Sequence, residues 1–132
     1  MILTADVIAM LRNHRQISAK ITIIQNTLLY QKDSSTVTIC MLLGQQEDLI
    51  VKRDIVDAWL QLLPIEERFL VQTHLIDGLD WAKTIVEHEK MWGVMNGRSE
   101  RTLKRIQAKA IDRIVACLSQ IEGLSEFKIN YC

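Results

Sequence analysis

Proline, glycine, aromatic residues and cysteine are all scarce in this sequence, and each shortage closes off a class of structures. One proline and five glycines are too few for the dense tight turns of a small β-sandwich or barrel. Two Phe and two Tyr, with no cluster of basic and aromatic residues, leave no platform on which flipped bases could stack. Cys40, Cys117 and Cys132 are odd in number, scattered, and form no C-x-x-C pair. They argue against a disulfide framework or zinc site and for a reducing compartment, the cytoplasm. No run of about 18 apolar residues occurs, so no membrane association is expected. The opening MILTADVIAMLRNHR lacks the basic-then-apolar order of a secretory signal. An excess of charge of either sign is missing as well, since sixteen Lys and Arg balance sixteen Asp and Glu.

Catalytic patterns are equally sparse. There is no Gly-rich phosphate loop, no H-E-x-x-H pair and no nucleophile elbow. His74 with Asp77, and Glu87-His88-Glu89, are the only acid/base or metal groupings. Glu87 and Glu89 point to different sides of a helix and cannot converge with His88 on one metal. Cys117, between Ala116 and Leu118, reads as buried. The expectation is a protein that is not an enzyme and needs no cofactor or metal.

What is present is hydrophobic periodicity. A 48% hydrophobic content in 132 residues supports one domain, or one small domain with an added oligomerisation element. Leu3, Val7, Met10, His14, Ile17, Ile21, Ile24 and Leu28 follow one another at spacings of 4, 3, 4, 3, 4, 3 and 4, a heptad seam of nearly four repeats. Thr4 or Asp6 caps its start. A helix of this length wants a partner along it: a second copy, making a homodimer, or the later helix Glu47–Leu63 of the same chain. His14 reads as a tolerated polar member that sets register or lies at the seam's edge.

Residues 33–46 have no decisive period, and TVTICMLL fits a short strand or a buried helical turn. Glu47 to Leu63 reads as a helix with Val51, Ile55, Trp59 and Leu62 on its inward face. Pro64 suits the first position of the next helix, Ile65–Ile76, where Glu66 and Glu67 favour the positive end of the dipole. Asp77-Gly78 ends it through a left-handed glycine. Asp80 caps a further helix from Trp81, with Ala82, Ile85 and Val86 inward. The whole chain therefore reads as all-α.

The strongest signal starts at Ser99. From Arg98 to Arg113, six cations (Arg98, Arg101, Lys104, Arg105, Lys109, Arg113) stand against Glu100 and Asp112, a local basic stripe on a neutral protein. Ser99 caps a helix whose inward stripe is Leu103, Ile106, Ala110 and Ile114. Its other face carries Arg101, Lys104, Arg105 and Ala108. Long basic side chains beside a small residue at a helix N-terminus suit a DNA major groove, where guanidinium grips guanine and Lys holds phosphate.

From Leu62 to Val115, 54 of 132 residues, the chain resembles region 4 of bacterial sigma factors. The likeness rests on LLPIEERFLV, IDGLDWAKTIV and SERTLKRIQAKAIDRI. It implies a sigma region 4-like helix-turn-helix after the long N-terminal helix that the heptad seam gives, with Glu100, Arg101, Lys104 and Arg105 contacting double-stranded DNA. Arg101, Arg105 and Glu100 are expected to read bases, and Arg98, Lys104 and Lys109 to hold phosphates. Ser99 and Thr102 complete the candidate set, and Arg113 is expected near the DNA backbone or in solvent. The span from Val86 to Ser99 is about seven residues longer than the sigma pattern. Either the Trp81 helix runs on to about Met95 with a turn at Asn96-Gly97, or a small wing is inserted. Met91, Trp92, Val94 and Met95 are expected to cover core.

An N-terminal arm (1–61), a helix-turn-helix domain (62–121) and a tail (122–132) together resemble the ArpU-type phage late-gene regulators. That resemblance implies a nucleoid-associated transcription regulator acting on a late operon. Two other jobs fit the pattern: a module that binds RNA polymerase or a sigma factor without reading DNA, and, less well, a small terminase subunit.

Overall fold

A computed structural model describes residues 4–30 and 35–121, and every regular element among them is a helix. The chain is all-α, and none of its described helices is long and apolar enough to cross a membrane.

Helices α1 (Thr4–Tyr30) and α2 (Thr36–Gln61) pack as an antiparallel hairpin. Val7, Met10 and Leu11 near the start of α1 share a buried cluster with Val56 and Trp59 near the end of α2. Thr36–Gln46, ambiguous in sequence, is helical. Ser35 nucleates it by accepting a hydrogen bond from the Thr38 amide at 3.2 Å. The inward face of α2 agrees with its spacing at Trp59 and Ile55 but not at Val51 and Leu62. Val56, Trp59 and Leu63 are buried and Ile55 packs partly against them, whereas Val51 and Leu62 are exposed. Both stripes are apolar at helical spacing, so periodicity alone could not choose between them.

Pro64 precedes α3 (Ile65–Leu70) as its N-cap rather than occupying its first turn. The chain then widens into one π-helical turn, Val71–Ile76, in which the Asp77 amide donates to the Gln72 carbonyl at 2.8 Å. Gly78, at φ 75°, reverses direction, as a residue without Cβ can. Asp80 caps α4 (Trp81–Trp92) through the Lys83 amide at 2.8 Å. Here too the inward face differs from expectation: Thr84 and His88 are buried, Ile85 is half-buried, and Ala82 and Val86 are exposed. Gly93, at φ 88°, stops α4. A single 3-10 turn, Val94–Asn96, leads to α5 (Glu100–Gln120).

One core joins these parts. Val7, Met10 and Leu11 of α1, Val56 and Trp59 of α2, Val71, Leu75 and Ile76 of the π turn, and Ala110, Ile111, Ile114 and Leu118 of α5 form a single buried cluster. The arm and the C-terminal helices are therefore packed as one body. Each fully buried Leu or Ile contributes about 1.5–3 kcal/mol, and α5 is held mainly by this face.

Candidate nucleic-acid interface

Helix α5 separates its two faces sharply. Leu103, Ala110 and Ile114 are buried and Ile106 is half-buried, while Arg101, Lys104, Arg105, Ala108 and Lys109 are exposed. Ser99 Oγ accepts from the Thr102 amide at 3.2 Å and lies 3.0 Å from Thr102 Oγ1. The helix therefore begins with its first amides ordered beside the basic residues.

The six cations of the stripe divide into two groups. Arg98 Nε donates to Glu66 Oε1 at 2.7 Å, and Arg113 Nε donates to Glu67 Oε2 at 3.1 Å. These two pairs clamp α5 to the first turn of α3, one at the start of the helix and one far along it. Arg98 was expected on phosphate and Arg113 in solvent or near the DNA backbone; both instead carry an intramolecular partner. Arg101, Arg105 and Lys109 have no ion pair or hydrogen bond among the described residues. Lys104 is intermediate, with Glu100 Oε2 at 3.9 Å and its ammonium 6.0 Å from the Trp81 ring centroid.

Trp81 links α5 to the turn before α4. Its ring stacks on His74 with centroids 3.8 Å apart and planes inclined by 22°. His74 Nδ1 donates to the Leu79 carbonyl at 2.8 Å, which holds the imidazole against the turn. Burial keeps the His74 pKa below its ordinary value; the Leu79 hydrogen bond opposes this, while the positive charges of Arg12 and Lys104 add to it. Cations from α1 and α5 thus both reach the same imidazole. Arg12, Arg15 and Gln16 of α1 line an open groove of about 670 Å³ with His74–Asp80, and Arg15 Nη1 donates to the Asp77 carbonyl at 3.5 Å. Arg12 and Arg15 belong to no motif in the sequence. Their signal was an i, i+3 pair of arginines on the polar side of the α1 seam, but only the tertiary fold puts them beside the turn.

Glu66 is a three-way joint. Its carboxylate receives Arg98 and also lies 3.1 Å from His88 Nε2. His88, 1% exposed, stacks on Trp92 with centroids 4.6 Å apart, and Phe69 meets the Trp92 edge at 5.1 Å. The Arg98 hydrogen bond, with His88 in a lesser role, holds the Glu66 carboxyl below the ordinary carboxylate range against the opposing effect of burial. The longer α4–α5 connection is neither a helix to Met95 nor a wing. Only Trp92 of its apolar residues packs; Met91, Val94 and Met95 are exposed, the last at 97%, because Gly93 turns the chain away from the core.

The acid/base groupings do not assemble. Asp77 Oδ1 accepts from Gln72 Nε2 at 3.0 Å rather than meeting His74, and Glu87 pairs with Lys90 at 3.0 Å. Among the described residues no group of three or more His, Cys, Asp or Glu side chains is placed to hold a metal. Cys117, expected to be buried, is half-buried.

Along the α1 seam, Val7, Met10, Ile17 and Ile21 are buried within the chain, Ile24 and Leu28 are half-buried, and Leu3 lies outside the described residues. His14 Nε2 lies 3.3 Å from Asp57 Oδ1 of α2, so its polar place in the seam answers a carboxylate on the facing helix. The tail, 122–132, also lies outside the described residues. No family model, curated protein or solved structure matches the chain.

Proposed function

We propose that this protein is a sequence-specific regulator of transcription that binds double-stranded DNA through the N-terminal half of α5, a sigma region 4-like helix-turn-helix of the kind found in ArpU-type phage late-gene regulators. The observation that carries the reading is the division of the basic stripe. Arg98 and Arg113 are used to fix the helix, while Arg101, Arg105 and Lys109 extend from a capped helix start without partners among the described residues. Intramolecular ion pairing explains the first two and leaves the other three free for an anionic ligand.

On this reading Arg101, Arg105 and Glu100 meet base edges, and Lys104 and Lys109 meet phosphates. Arg12 and Arg15 add a second phosphate contact from α1, across the turn at Gly78. One helix covers few base pairs, so a homodimer or RNA polymerase as co-binder would supply the remaining specificity. The exposed Met91, Val94 and Met95, beside the start of α5, favour a protein contact there. They keep alive the second reading, a module that docks on polymerase or a sigma factor without reading DNA. Working on DNA would place the protein at the nucleoid.

Selection from a random duplex pool tests this directly. The expected result is an enriched motif, weakened or altered by the Arg101→Ala/Arg105→Ala double substitution, each lost base contact removing about 1–3 kcal/mol of discrimination. Replacing Lys109 or Arg12 should instead weaken all sequences alike and lower the salt dependence by about one unit per phosphate contact. A folded protein that enriches nothing at low salt would reject the DNA reading in favour of the polymerase-binding one.

A further inference from the structure

Near the end of α1 and the start of α2, the two helices expose apolar side chains that nothing among the described residues covers. Ile23, Leu29 and Tyr30 of α1 and Val37, Met41, Leu43 and Val51 of α2 are all exposed, Tyr30 at 77% and Val37 at 69%. Between Ile21 and Gln46 the only charged residues are Lys32 and Asp33. Uncharged polar residues (Thr22, Gln25, Asn26, Thr36, Thr38) stand among these apolar ones, so the surface is mixed but nearly free of charge. At roughly half exposure these side chains amount to several hundred Å², the order of the ~800 Å² that each partner of a standard-size interface covers. Surfaces of that extent on a small soluble protein mark interaction sites.

Helix α2 organises this surface. Val37, Met41, Gly44, Asp48 and Val51 follow at spacings of 4, 3, 4 and 3, and every one of them is exposed. This is an outward seam, distinct from the inward Val56, Trp59 and Leu63. Gly44 stands at its centre. A mid-helix glycine weakens a helix, and neither a turn nor a positive φ demands one here. A Cβ added at Gly44 would meet nothing within 4 Å. No neighbour among the described residues accounts for the missing side chain, whereas close approach of a second helix does.

We propose that this seam is the interface with a second copy of the chain, the two α2 helices crossing antiparallel with Gly44 against Gly44. A hairpin of two antiparallel helices is half of a four-helix bundle, and a two-fold axis through Gly44 closes the assembly at two copies. Val37 of one copy then meets Val51 of the other. The antiparallel sense also separates the two Asp48 carboxylates, which a parallel crossing would set side by side. The one charge on the seam is Asp48, and a two-fold crossing at Gly44 sets it beside Met41 of the other copy rather than beside a second carboxylate. The inference deepens the dimeric part of the proposed function and relocates it: the buried half of the α1 heptad seam is spent inside the chain, and α2 carries the exposed one.

Sedimentation equilibrium of the full chain without DNA tests the interface independently of any DNA contact. The wild type is expected to be a dimer. Met41→Glu, which faces Asp48 of the other copy in this crossing, should be monomeric at the same concentration with unchanged helical circular dichroism, because Met41 is exposed among the described residues. Gly44→Leu should dissociate at least tenfold more readily, although leucine is the better helix former. A monomeric wild type overturns the proposal, as does a Met41→Glu protein that remains dimeric. A Gly44→Leu dimer as tight as wild type, or tighter, removes Gly44 from the crossing and overturns the geometry proposed.

Discussion

Near the start of α1 and the end of α2, the two helices enclose Val7, Met10, Leu11, Val56 and Trp59 against α5 and the π turn; at their other ends the same two helices expose Ile23, Leu29, Val37 and Met41. The difference does not lie in hydrophobicity. It lies in neighbours: the first half has two further elements packed on it, and among the described residues the second half has only its partner helix. Apolar periodicity says that a face will be covered and leaves open by what.

The sharpest way to break this contrast is to truncate one side chain in each half. Leu11→Ala removes a fully buried side chain and should cost about 2–5 kcal/mol in urea unfolding. Leu43→Ala, measured below the concentration at which the protein associates, should stay within about 0.5 kcal/mol of wild type. Equal losses would mean that the two halves share one cooperative core. The caps should grade in the same direction. Ser99→Ala is expected to cost about 1 kcal/mol globally, because α5 is welded into the core. Ser35→Ala should act locally, seen as faster amide exchange over the first turns of α2 with little change in the global midpoint.

The smallest effect is on pH, and it sharpens the comparison because the groups concerned lie at the packed end. His14 and His74 are both held below the ordinary 6.5, by burial first, with Asp57 opposing at His14 and the Leu79 carbonyl opposing at His74. The unfolded chain therefore takes up protons before the folded one as pH falls. The stability they contribute is complete above pH 6.5 and declines below it. Glu66 acts further down: depressed from 4.5, chiefly by Arg98, it stabilises above that pH and ceases to as pH falls through its folded value. Acid unfolding monitored by circular dichroism should show both declines, and Glu66→Gln should flatten only the lower one.

Much of this was legible beforehand. The helices at Thr4–Tyr30 and Glu100–Gln120, the Asp80 and Ser99 caps and the Gly78 turn follow from local chemistry, which needs no partner. What failed were choices between faces. Val51 and Leu62 compete with Val56 and Leu63 on α2, and Val86 competes with His88 on α4. In the second case the polar residue is the buried one, because Glu66 reaches it from another helix. The candidate site divides the same way. Its basic residues could be read from one stretch of chain. That Arg98 and Arg113 are occupied, and that Arg12 and Arg15 stand nearby, depends on α3 and α1, up to 62 positions away along the chain in the case of the Arg15–Asp77 contact.

The wide turn at Val71–Ile76 carries a consequence for length variation in this chain. A turn closed five residues back holds one residue more than an α-helical turn of the same span, so it has the form of an insertion that the fold absorbs without shifting its flanks. Removing one residue there has a regular structure waiting for it, the ordinary helix. In that shorter chain an α-helical turn would close over the same span, and Gly78 and α4 beyond it would keep their bearing. A single codon can thus be gained or lost in this segment without changing where the later helices point.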